Sequence, residues 1–202
     1  IRSIRSQHGS TVHHHLPFTN MKRTIDLQAI GERIQFNDAR ERTHGQRSEA
    51  TLSLGPGNKG PGPHIHIGQD EGFKVVSGKL IVTIGKKEVT LGPGESAVIR
   101  SGEAHNFRNA STTERVEAEF WYEPALNIEW MLQSMGEGAM DNGGDWKKTP
   151  VLPAMYIMWK MRKEYRLAGM PTWLQDAMFG TFAWIARLTG AHKRWPLPAG
   201  LD

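Results

Sequence analysis

Short runs of alternating apolar residues, cut by turn-formers, run through residues 31–123. Glu49–Leu54 sets Ala50, Leu52 and Leu54 on one side. Lys79–Ile84 is rich in branched apolar residues, and Gly85 with the polar Lys86-Lys87-Glu88 separates it from Val89–Leu91. Ser96–Ile99 follows the turn Gly92-Pro93-Gly94. Arg115–Tyr122 sets Val116, Ala118, Phe120 and Tyr122 against Arg115, Glu117, Glu119 and Trp121. Successive side chains of a strand point to opposite faces, so a period of two with one apolar side describes strands that bury one face. With 22 glycines and 11 prolines in 202 residues, short strands and tight turns predict an antiparallel sandwich or barrel rather than a helical bundle.

The same composition excludes several functions. With no cysteine, the chain has no disulfide, zinc finger, iron–sulfur cluster or cysteine nucleophile. The net charge is +4, but residues 21–125 carry 14 basic and 14 acidic side chains. That balance argues against a nucleic-acid platform, which needs clustered Lys and Arg. No apolar run reaches the roughly 18 residues of a membrane span. The expectation is a cytoplasmic protein, with membrane association through its end left open. Residues 1–20 lack an apolar period, contain His13-His14-His15 and precede Met21. They read as a leader or tag, with a His-rich metal-handling arm as the alternative. Residues 21–125 read as the barrel and 126–202 as a helical extension.

After Pro124 the texture changes. All seven tryptophans lie at position 121 or later, and eight of nine methionines at 131 or later. Two helices are predicted: one over Pro153–Leu167 with Gly169 as its C-cap, and one from Thr172, with Gln175 in a capping box, to Gly190. Gly136–Gly144 (GEGAMDNGG) reads as a flexible loop. Packing of this helical hairpin on the barrel or on a second subunit is the main expectation, since Met/aromatic stripes are usually core. Trp and basic residues flanking Ala177–Ala186 also suit peripheral membrane contact, and a lid over the barrel mouth is a third reading.

The chemistry concentrates in two segments. PGPHIHIGQDEGFKVVSG carries His64, His66 and Glu71, and GPGESAVIRSGEAHNFRN carries His105 and Asn109. On a strand, His64 and His66 share a face with backbones about 6–7 Å apart, so both rings can converge on one ion. Glu71 can add an oxygen, and His105 a third imidazole from a later strand. Each alone reads as an ordinary surface or core residue. Outside residues 1–20, however, three of the five histidines fall in this pattern. Three imidazoles and a carboxylate suit one divalent Fe, Mn, Ni, Co, Cu or Zn ion and leave positions open, as catalytic sites do. By parity Phe73 follows Glu71, and Phe107 and Asn109 follow His105, into the interior. That makes them candidate substrate-binding residues, or, for the two phenylalanines, plain core.

These segments resemble the two motifs of the cupin superfamily. The first reads His64-Ile65-His66, four residues, Glu71, six residues, Gly78; the second reads Gly94, five residues, Arg100, Ser101, Gly102, two residues, His105, three residues, Asn109. Asn58 stands where the first motif begins with Gly, and Arg100 where the second has Pro; neither is a ligand position. The C-terminal part is similar to that of single-barrel bacterial cupins. The resemblance implies an all-β jelly-roll barrel with a C-terminal α-helical hairpin, a homodimer, and His64, His66, Glu71 and His105 around a metal. It implies a metal-dependent enzyme on a small organic substrate, a dioxygenase-type oxidoreductase first. A lactone or ester hydrolase, an isomerase and a non-catalytic binding barrel are the alternatives. Glu71 would act as ligand or, off the metal, as general base.

Overall fold

The computed structural model describes residues 23–198, 200 and 201; the expectation for residues 1–20 lies outside them. The strands are β1 (Thr24–Leu27), β2 (Glu32–Phe36), β3 (Ser48–Leu54), β4 (His64–His66), β5 (Asp70–Ser77), β6 (Leu80–Ile84), β7 (Lys87–Leu91), β8 (Ser96–Ile99), β9 (His105–Asn109), β10 (Val116–Glu123) and β11 (Tyr165–Leu167). They form two antiparallel sheets, ordered β1-β2-β3-β10-β5-β8 and β11-β4-β9-β6-β7. The helices are α1 (Ala39–Arg42), α2 (Ile128–Asp141), α3 (Val151–Lys160) and α4 (Thr172–Thr189).

The alternation read in the sequence is what closes the two sheets on each other. Leu52, Leu54, Phe73, Val75, Leu80, Val82, Ile99, Val116 and Phe120 all point inward and are buried. Each such side chain contributes about 1.5–3 kcal/mol on leaving water. The β5–β6 connection turns on Gly78, whose φ is +74° and whose added Cβ would stand 2.4 Å from the Arg115 carbonyl oxygen. Gly78→Ala therefore meets both a left-handed backbone and a backbone clash. A loss of about 2 kcal/mol or more is expected in a denaturant melt.

The all-β expectation is corrected at the C-terminal end, where helices are a substantial part of the fold. Most of the segment read as a flexible loop lies in α2. Gly136 and Gly138 serve close approach rather than flexibility. A Cβ on Gly136 would meet Ile25 of β1 at 2.7 Å, and one on Gly138 would meet Trp195 at 2.9 Å. The helix predicted over Pro153–Leu167 stops at Lys160. A 3-10 turn, Met161–Lys163, follows, and the chain then extends as β11 alongside β4. Pairing with the free edge of β4 outweighs continued helix.

The fourth helix keeps its predicted ends, closing at Gly190 with φ +78°. Gln175 forms no capping box. Its carboxamide accepts from Leu167 N and donates to the carbonyls of Leu167 and Met170, which clamps β11 instead. The outer face of α4 leaves Trp173, Trp184 and Leu188 exposed. Among the described residues, no helix is long and apolar enough to cross a membrane.

Candidate metal centre

The three-residue strand β4 turns His64 and His66 to the same interior face, as period two requires. His105 is the first residue of β9 and stands directly opposite His64 in the β4–β9 pairing, with ring centroids 4.3 Å apart. Glu71 is the second residue of β5 and reaches the same point from the facing sheet. All four side chains are buried, and one ligand atom from each lies within 4.8 Å of the others.

The histidines at positions 64 and 105 are oriented from behind. Each Nδ1 lies 2.9 Å from a backbone carbonyl, of Gly62 and Glu103 respectively. An Nδ1–H donating there orients each ring and points its Nε2 inward. His105 Nε2 lies 2.6 Å from Glu71 Oε2, and His66 Nε2 lies 3.6 Å from the same oxygen. Both ring nitrogens of His66 and Oε1 of Glu71 are buried without a hydrogen-bond partner. Buried polar atoms left unpaired cost about 1–3 kcal/mol each. A cation at the centre would answer the inward-facing ones, so the residues present fit a divalent metal ion.

Electrostatics puts His64, His66 and Glu71 in ligand form. Burial pushes His64 down, and pushes His66 down to about 3, against the opposing pull of the Glu71 charge. Burial alone would raise Glu71, but the hydrogen bond from His105 and the charges of the three histidines bring it down to about 2. For His105, burial acts downward, and the hydrogen bond and charge of Glu71 outweigh it to give a raised pKa.

Of the residues expected to bind substrate, Phe73 and Phe107 lie one step along the interior from Glu71 and His105. They pack on each other with centroids 4.9 Å apart and belong to the core. Asn109 is committed elsewhere. Its Nδ2 donates to the carbonyls of Leu54, Gly55 and Glu114, and its Oδ1 accepts from Ser111 N. It ties the end of β9 to neighbouring loops.

Sequence reasoning missed two tyrosines at the cluster. Tyr122 of β10 packs on His66 at 5.2 Å, with its phenol close enough to Glu71 to feel that charge. Its inward parity was visible in the alternation of β10. Tyr165 of β11 stacks on His64 at 5.2 Å and meets His66 edge-on at 5.5 Å. Its strand is three residues long and exists only by pairing with β4, so no local pattern announces it. A surface cleft of about 410 Å3 lined by Gln28, Arg33 and Arg115 lies on the outer side of the six-stranded sheet, away from this cluster.

The family model for the cupin domain matches residues 50–122, a span that holds all four clustered residues. This chain carries a cupin domain. Solved cupin structures are similar to it over about half its length. A protein from Thermotoga maritima described as a predicted oxalate decarboxylase is 20% identical, over 54% of this chain and 97% of that one, with a TM-score of 0.44. KdgF from Halomonas sp. is 17% identical, over 51% and 86%, with a TM-score of 0.43. The cupin domain of Schizosaccharomyces pombe Cnp3 is 13% identical with a TM-score of 0.41, and the match spans 46% of this chain and 64% of that domain. No curated protein matches the sequence.

Proposed function

We propose that this cupin is a metal-dependent enzyme on a small organic molecule, with dioxygenase-type oxidation as its reaction class. The observation that carries the metal reading is the orphaned set of His66 nitrogens and Glu71 Oε1 beside the inward-facing His64 and His105. Such a donor set, three neutral imidazoles and one carboxylate without thiolate, suits a redox-capable divalent ion. When bound, the ion would supply a Lewis-acidic, redox-active centre with positions left for substrate and dioxygen.

The chain's own residues do the rest. The carbonyls of Gly62 and Glu103 orient the rings of His64 and His105. Phe73 and Phe107 pack together in the core beside the cluster and help to keep water from it. Glu71, held at about 2, is a poor proton acceptor near neutral pH, where a general base works best with a pKa near the working pH. That favours ligation over proton abstraction as its role.

The test uses the full chain carrying His13→Ala, His14→Ala and His15→Ala, so that those histidines bind no metal, purified without a metal-affinity step. Elemental analysis should find one iron, manganese, nickel or copper per chain, and aromatic substrates should drive oxygen uptake. One zinc with oxygen-independent turnover would replace this reading with hydrolysis or isomerisation. Ligand retention without turnover would make the barrel a binding module.

A further inference from the structure

We infer that the C-terminal extension supplies a substrate-contacting residue to the site: Tyr165 donates a hydrogen bond to an oxyanion group of the substrate. The inference rests on the metal-dependent reading above and deepens it by naming an oxygen-bearing, anionic substrate class.

Tyr165 lies opposite His66 in the β11–β4 pairing, and its ring covers both His64 and His66. The residue as a whole is only half-buried. Its phenol lies close enough to Glu71 to feel that charge. No hydrogen bond joins this hydroxyl to a described residue. Ring stacking alone would be served by phenylalanine, so the hydroxyl is the part that packing leaves unexplained. A phenol keeps its proton through the neutral range, so the group is a donor. Tyr122 is not equivalent because, of the histidines, its ring meets only His66.

The strand that carries Tyr165 is fixed on every side. Asn127 donates from its backbone N and from Nδ2 to the Glu164 carboxylate at 2.9 and 2.7 Å. Ile67 N donates to the Glu164 carbonyl at 2.8 Å, and Ala168 N to the Pro63 carbonyl at 3.0 Å. Arg166 pairs with Asp176 of α4 at 2.6 Å, and Gln175 of α4 brackets Leu167. Two elements outside the matched cupin span, α4 and the turn before α2, thus hold one phenol over two histidines. A donor positioned this firmly gives up little freedom when its acceptor arrives.

The test loads cobalt(II) into the full chain carrying His13→Ala, His14→Ala and His15→Ala, and titrates it with acetate as an oxyanion probe while following the visible cobalt absorption. Tyr165→Phe should keep one cobalt per chain and the acetate-free spectrum. Its acetate Kd should weaken roughly tenfold, the expected effect of losing one hydrogen bond to a charged acceptor. Gln175→Ala, which loosens β11 without touching the pocket, should weaken acetate in the same direction. An unchanged Kd in Tyr165→Phe would reduce Tyr165 to a wall of the pocket, and a lost cobalt would make it a support of the metal ligands; either overturns the donor role. If the parent chain takes up no cobalt, the metal reading itself fails, and this inference with it.

Discussion

His64→Ala combined with His105→Ala should take metal content from one ion per chain to none and still leave a folded barrel. Each substitution removes an inward-facing nitrogen whose orientation a backbone carbonyl sets, and only His66 and Glu71 remain. Two donors do not hold a divalent ion against water and buffer as four do. The fold should survive because the ring contacts of His64 and His105 are with one another, with His66 and, for His64, with Tyr165, while the apolar core lies further along the interior. The main cost falls on Glu71. Its low pKa depends on the hydrogen bond from His105 and on the histidine charges, and without them burial favours the neutral acid. Taking up a proton spares it the several kcal/mol of a bare buried charge. The variant should therefore show native-like circular dichroism, a lowered melting temperature, and stability that declines as pH rises through the new Glu71 pKa. Unchanged metal content in the chain lacking His13–His15 side chains would show that the ion sits elsewhere.

The candidate site was largely legible in the sequence because its geometry is short-range. His64 and His66 share a face by strand periodicity alone, and Glu71 and His105 sit at the starts of strands that the turn residues delimit. Sequence spacing did not reveal that Glu71 comes from the opposite sheet and His105 from the adjacent strand, since strand order is decided by pairing far along the chain. The extension was misread wherever long-range contact overrides local preference. Glycines 136 and 138 suggest flexibility until Ile25 and Trp195 are seen against them. Tyr165-Arg166-Leu167 continues a helical pattern until the edge of β4 offers hydrogen bonds. Gln175 sits at a capping-box position but finds better partners in β11. Two of these errors, at Gly136 and at β11, hide a contact between the extension and the barrel, and the second is why the tyrosine over the histidines escaped notice.

Metal affinity should fall on acidification with the slope of a single proton, beginning above the ordinary imidazole range. The sign follows from the four ligands taken one by one. Burial keeps His64 and His66 neutral, the latter down to about 3, so neither competes with the ion in the neutral range. Glu71 stays ionised down to about 2. Of the four, only His105 is raised above the ordinary imidazole range, because its Nε2 hydrogen-bonds to Glu71. Below that raised pKa the free site carries a proton on the nitrogen that must face the ion, and binding has to expel it. Affinity should thus be level above the pKa and drop about tenfold per pH unit below it. Calorimetric titration of cobalt(II) into the free protein, in buffers of different ionisation enthalpy, should count close to one proton released per ion below the pKa and few above it. His105→Asn removes the titrating nitrogen; it should bind more weakly throughout and show no proton release. A wild-type affinity flat between pH 5 and 8 would mean that the Glu71–His105 hydrogen bond does not hold a proton in the free protein, and the electrostatic account of the site would have to be redrawn around neutral His105.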